Sequence, residues 1–161
     1  MRMSILRRAM IRKACITDVK AIYKLIKHHA DRRRMLARSY SELYEDVRDF
    51  LVYVNRGRVL GCVALHVTWE DLAEVKSLAV SSRHQGKGIG RSLVKAALAD
   101  AADLGVARVF ALTYEQSFFE KCGFHRVPKE SLPHKIWMEC VRCPEFPDCG
   151  EVPMIIELNH T

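Results

Sequence analysis

Apolar residues recur along this chain with two periods, one suited to helices and one to strands. Val19, Ile22, Tyr23 and Ile26 are spaced by three and four, so they form one stripe of a helix opened by Thr17-Asp18. The same spacing from Leu93 to Ala102 predicts a helix over residues 91–104, ended by Gly105. Short apolar runs at 11–14, 51–54, 59–67, 74–80, 109–113 and 152–158 predict strands. The turn Asn55-Arg56-Gly57-Arg58 joins two of them into a hairpin. Ser39 followed by Glu42 has the form of a capping box, and Leu43, Val47 and Phe50 fit a short helix behind it. A further short helix is predicted over 117–121, closed by Gly123. Residues 28–37 are polar and basic and predict a loop or a broken helix. Pro128, Pro133, Pro144, Pro147 and Pro153 concentrate irregular structure after residue 127. No internal repeat or low-complexity segment interrupts the pattern.

Chemistry concentrates where one of these switches occurs. The run Val75-Lys76-Ser77-Leu78-Ala79-Val80 leads into Gln85-Gly86-Lys87-Gly88-Ile89-Gly90, and the helical spacing begins directly after it. Glycines let the backbone turn tightly and approach a ligand without Cβ clashes. The helix that follows aims unpaired N–H groups and the positive end of its dipole at the turn, which suits a phosphate or pyrophosphate. The Walker pattern fails, because no Lys-Ser/Thr pair follows the last glycine, and G-x-G-x-x-G fails because the glycines fall as G-x-G-x-G.

The pattern that matches is Q/R-x-x-G-x-G/A, the pyrophosphate loop of the GNAT acetyltransferase superfamily, which the chain resembles here. Downstream, Phe118-Phe119-Glu120-Lys121-Cys122-Gly123-Phe124 looks like that family's (L/F)YEKxGF segment. The resemblance implies an α/β (α+β) fold: a central, mixed, mostly antiparallel and splayed sheet flanked by helices. It implies acetyl-CoA as co-substrate, with Gln85, Gly86, Lys87, Gly88, Ile89, Gly90 and Arg91 at the pyrophosphate. Leu78, Ala79 and Val80 would lie along the pantetheine arm, one of their strand's amides serving the thioester oxygen. Glu74 stands where many members carry a catalytic Glu, the alternative being a hairpin-end carboxylate in water. Phe119 stands where many members carry the Tyr that protonates the leaving thiolate, which leaves that proton to solvent.

Size and charge narrow the setting. The 161 residues suit one domain over 1–161, with 1–9 as a leader and 133–151 as a Cys/Pro-rich loop. No apolar run approaches the ~18–20 residues that span a bilayer. The first ten residues lack the apolar region of a secretory signal, which leaves the cytoplasm as the expected compartment. The net charge of +7 is clustered, at Arg32-Arg33-Arg34 and from Arg83 to Arg91. No RNA-recognition or helix-turn-helix pattern accompanies it, so CoA phosphates and an acidic co-substrate are expected rather than nucleic acid.

The acceptor is indicated by further resemblance. Met35-Leu36-Ala37-Arg38-Ser39 with Glu42-Leu43, the Phe118-Phe119 pair and Glu130-Ser131-Leu132-Pro133 are similar to segments of N-acetylglutamate synthases, and the tail resembles their short stand-alone bacterial forms. That resemblance implies acetylation of the α-amine of L-glutamate, in arginine biosynthesis. A diacid amine needs one cation per carboxylate. Arg38 and Lys76 are the leading candidates, with Arg12 and Lys135 behind them. A lysine amid Val75, Leu78 and Val80 is costly unless an anion meets it, or unless it faces solvent. Acetylation of another amine, such as a protein N-terminus, and a non-catalytic acetyl-CoA sensor are the alternatives. A homodimer is compatible with either.

Six cysteines divide into two sets. Cys15, Cys62 and Cys122 fall in predicted regular structure and read as small core residues. Cys140, Cys143 and Cys149 form C-x-x-C-x5-C in the Pro-rich loop. Structural zinc with His134 or Cys122 as fourth ligand, free thiols, and a disulfide or redox switch all fit that spacing.

Overall fold

The structure is a computed structural model that describes residues 8–133, 136–137 and 150–158. Strand β1 spans Met10–Lys13, helix α1 Val19–Ala30 and helix α2 Tyr40–Glu45. Strands β2 (Phe50–Asn55), β3 (Arg58–Trp69) and β4 (Leu72–Val80) follow, then helix α3 (Ile89–Asp103) and strand β5 (Arg108–Thr113). Helix α4 (Gln116–Lys121), the two-residue strand β6 (His125–Arg126) and strand β7 (Val152–Glu157) complete the described elements. The strands form one sheet in the order β1-β2-β3-β4-β5-β7-β6. Its pairings are antiparallel except for β4 with β5. This is the mixed, mostly antiparallel sheet flanked by helices that the family resemblance implied.

Strand alternation distributes side chains to two apolar layers. Val63, Leu65, Ala73, Val75, Val109 and Ala111 pack against α3 through Leu93, Val94 and Ala97. Phe50, Val52, Cys62 and Ala64 pack against Val19, Ile22 and Ile26 of α1. A third cluster joins Leu72, Phe110 and Ile155 to Leu132 and Ile136. Gly61 allows α3 to approach β3 closely. A Cβ there would stand 2.9 Å from Leu93 Cδ1 and 3.2 Å from Ile89 Cγ2, tighter than ordinary packing.

Most predicted elements appear within a few residues of their expected bounds. Ser39 and Glu42 form the expected capping box. The helix behind it is shorter than its spacing implied: Val47 lies in a 3-10 turn, and Phe50 opens β2 opposite Ala64. Helix α1 continues to Ala30, three residues into the stretch read as a loop or broken helix. His125 and Arg126 pair with Met154 and Ile155, a strand too short to leave a period in the sequence.

One ion pair ties the turn before β2 to β3. His66 Nδ1 donates to Asp49 Oδ2 at 2.7 Å. That hydrogen bond raises the imidazole above its ordinary pKa, against burial and the nearby charge of Lys76. A raised folded-state pKa stabilises the fold fully below the unfolded value of about 6.5, and the contribution fades as pH rises through the folded value. Asp49→Asn is therefore expected to lower Tm more at pH 5.5 than at pH 9, checked by thermal melts at both.

Candidate active site

Strand β4 is paired on both sides for only part of its length. Leu72, Ala73 and Glu74 pair with Arg108, Val109 and Phe110 of β5. Beyond Glu74 the two strands part, while β4 stays paired to β3 as far as Val80. A cavity of about 970 Å3 opens in the gap. Residues of both sheet faces line it, from Arg38 and Lys76 on the α1–α2 side to Ile89 and Phe118 on the α3–α4 side. Backbone groups of β4 that face the gap need partners, and an extended ligand laid along them can supply these.

Two residues of β4 depart from regular strand. The register slips between Cys62–Ala79 and Ala64–Lys76, so Ser77 and Leu78 stand opposite Val63 alone. Ser77 takes φ 55°. This bulge reverses the alternation: Ala64 and Lys76 are partners, yet Ala79 rather than Leu78 joins the α1 layer. Leu78 and Val80 turn to the α3 layer. Beneath the bulge, burial pushes the Cys62 thiol up to about 12, so it stays a packing group.

The glycine-rich turn closes one end of the cavity. Gly86 and Gly88 have φ 76° and 83°, and Gly88 caps α3. Helix α3 begins at Ile89, two residues earlier than predicted. The first intrahelical acceptor, the Gly88 carbonyl, is taken by the Ser92 amide. The amides of Ile89, Gly90 and Arg91 precede it and are the first-turn donors of the helix. Phe118 and Val80 flank Gly90, at 3.5 and 3.7 Å from a Cβ built there, which is ordinary packing distance. Gln85 Nε2 donates to the Val80 carbonyl at 3.5 Å.

The cavity brings together Glu74, Lys76, Leu78, Ala79, Val80, Gln85, Gly86, Gly88, Ile89, Gly90, Arg91 and Arg38. Glu74 is 9 % exposed and sits centrally between His66 of β3 and Phe110 of β5, which removes the solvated hairpin-end alternative. Arg38 donates from Nε to Glu42 at 3.2 Å, from Nη2 to Asp46, and from Nη1 to Ser77 Oγ at 3.2 Å. Lys76 reaches the lining from mid-strand, and its side chain makes no hydrogen bond or ion pair among the described residues.

Two of the expected residues lie away from the cavity. Arg12 is a correction: on edge strand β1, it spends its guanidinium on Asp18 at 2.7 and 3.0 Å and does not line the cavity. That contact holds the Asp18 carboxyl below its ordinary range, an anchoring role at the start of α1. Lys87 is exposed on the turn and does not line the cavity. Lys135, Cys140, Cys143, Cys149 and His134 lie outside the described residues, and among the described residues no three His, Cys, Asp or Glu side chains converge on a metal position.

The cavity also recruits residues that the sequence reading did not single out. His29 is 6 % exposed and donates from Nε2 to the Val80 carbonyl at 2.8 Å, pinning α1 to the end of β4. Its signal was its place on the stripe of Ile22 and Ile26, hidden by the basic run around it. Arg34, Thr113, Glu115 and Glu151 also line the cavity. Tyr114 lines it too and is 41 % exposed. Phe119 is buried edge-on between Phe118 and Phe124 and offers no proton.

Known proteins place this architecture. A family profile described as Acetyltransferase (GNAT) family matches residues 16–124. The chain belongs to the GNAT acetyltransferase family. This GNAT chain is 39 % identical over 145 residues to an uncharacterized N-acetyltransferase of Chlorobaculum tepidum, covering 90 % of this chain and 94 % of that protein. It is 37 % identical over 138 residues to an amino-acid acetyltransferase of Mycobacterium tuberculosis, covering 84 % and 79 %. The crystal structure of N-acetylglutamate synthase from Neisseria gonorrhoeae, complexed with coenzyme A and N-acetyl-glutamate, superposes with TM-score 0.88 and 25 % identity, over 96 % of this chain and 36 % of that chain. The chain therefore spans about a third of that larger protein. It is an acyltransferase whose co-substrate is acetyl-CoA. No helix among the described residues is long and apolar enough to cross a membrane.

A side chain with negative charge at Gly88 would enter the amide cradle. Gly88→Glu is expected to abolish CoA binding by calorimetry. The forced left-handed backbone should cost stability only ~1–2 kcal/mol, so the variant still folds. Unchanged affinity would overturn the loop's role.

Proposed function

We propose that this GNAT enzyme transfers the acetyl group of acetyl-CoA to the α-amine of L-glutamate, forming N-acetylglutamate for arginine biosynthesis. One observation carries the reading: Arg38 and Lys76 line the same cavity as Glu74, at the end of β4 away from the glycine turn. A small amine with two carboxylates matches a cavity lined by two cations and a buried carboxylate. The relatives named amino-acid acetyltransferase and N-acetylglutamate synthase support the same acceptor class. Arg38 uses three of its N–H groups internally and has two of five left for a ligand.

The chemistry follows from the positions. Acetyl-CoA supplies an activated thioester carbonyl. The amides of Ile89, Gly90 and Arg91 take the pyrophosphate, and the unpaired edge of β4 takes the pantetheine. An amide at the bulge donates to the carbonyl oxygen as charge develops there. Glu74 accepts the proton of the acceptor ammonium, directly or through one water, so that the nitrogen lone pair attacks the carbonyl carbon. The carbon–sulfur bond then breaks, the nitrogen releases its second proton to solvent to leave the amide, and the thiolate takes its proton from solvent, because Phe119 has none to give.

Two results test this reading. Arg38→Ala and Lys76→Ala should each raise KM for glutamate roughly ten- to a hundredfold, the loss expected for a charge-assisted contact, with acetyl-CoA binding nearly intact. Glutamine should lose a similar factor unless its amide is recognised. A thiol-release assay against a panel of amino acids reads all of this. Absence of glutamate acetylation, or wild-type kinetics in both variants, defeats the substrate assignment and leaves the acetyltransferase standing. Separately, Glu74→Gln should lower kcat by about 10²–10⁴-fold without weakening CoA binding, as expected for loss of a general base.

A further inference from the structure

Among the described residues, three non-glycine residues hold positive φ: Arg33, Arg56 and Ser77. Arg33 and Arg56 lie in turns, where such backbone is common, but Ser77 lies inside a strand. A left-handed serine in a strand persists only when its surroundings over-determine it, and such residues gather at working sites. Two contacts hold this one. Cys62 Sγ reaches the Ser77 carbonyl at 3.5 Å from below, and Arg38 Nη1 donates to Ser77 Oγ at 3.2 Å from the cavity side. Arg38 is itself immobilised. Its side chain is 12 % exposed, and Glu42 and Asp46 grip its other nitrogens.

We propose that Ser77 is a positioning residue for acetyl transfer: Arg38 holds its hydroxyl, and through it holds the bulge of β4 in the shape that aims backbone amides at the thioester. One guanidinium then serves both halves of the reaction. On one side it faces the acceptor's region of the cavity, and on the other it sets the strand against which the cofactor lies. The inference rests on acetyl transfer in this cavity and on no particular acceptor. The sequence could not display the link, because residues 38 and 77 meet only after the α1–α2 connection folds over β4.

Three variants separate positioning from mere stability. Ser77→Gly keeps the left-handed backbone without strain and removes the hydroxyl. Ser77→Asn also tolerates that backbone and returns an oxygen to Arg38. Ser77→Gly should lower kcat about tenfold, in line with losing one hydrogen bond to a charged group, with the Kd for CoA within about twofold. Ser77→Asn should recover most of that loss, and Arg38→Lys should lower kcat little further in the Ser77→Gly background. In parallel, Arg38→Lys should shift the backbone amide resonances of Ser77 and Leu78 in the ligand-free protein, a readout that needs no acceptor and stands even if glutamate is not the substrate. Near-wild-type kcat in Ser77→Gly, failure of Ser77→Asn to recover, additive kcat losses, or unmoved amide resonances would each overturn the proposal.

Discussion

Everything at this site depends on β4 being hydrogen-bonded along one edge and released along the other. Pairing with β3 holds the strand rigid as far as Val80, while pairing with β5 stops at Glu74. A strand paired on both edges has no donors left for a ligand, and a strand paired on neither would not stay extended. The half-paired state gives an ordered edge of free amides inside a cavity. Helix α3 points its first turn at the end of that edge, and α1 pins the same end through His29. Residues of both sheet faces reach the opening, so cofactor and acceptor can approach one another from different sides of the sheet.

Charge in the cavity is more balanced than the net +7 of the chain suggests. Arg38 is countered by Glu42 and Asp46, and Glu74, Glu115 and Glu151 add further carboxylates to the lining. Near the glycine turn, Arg91 lies where phosphates would sit. The far end mixes signs. That arrangement suits an acceptor carrying an ammonium and carboxylates together better than a purely cationic or purely anionic one.

Much of this was legible because it is local. The glycine turn, the strand before it and the helix after it are contiguous, and their chemistry follows from neighbours in the chain. Ser39 and Glu42 announced a helix start by their spacing alone. What stayed hidden depends on pairs far apart. The bulge at Ser77 inverts the facing of every later residue in β4, and nothing in the apolar run marks where the period slips. Arg12 offered the same charge as Arg38, and only the fold shows one spent on Asp18 and the other facing the cavity. His29 sits in a run whose polar composition outweighed the buried stripe it continues.

The closeness of Gly61 to Leu93 and Ile89 has a mechanical meaning for the glycine-turn end of the cavity. Helix α3 is a stiff rod with its first turn in the site and its side packed on β3. The missing methyl at residue 61 sets how deep that rod is seated. An added carbon there would act as a wedge under a lever, pushing on Leu93 and Ile89 from the sheet side and lifting the amides of Ile89 and Gly90 away from the line of β4. Substitutions buried in the middle of the sheet can thus detune an anion cradle several residues away, and the tolerance of that cradle is written partly in the smallest side chain of a neighbouring strand.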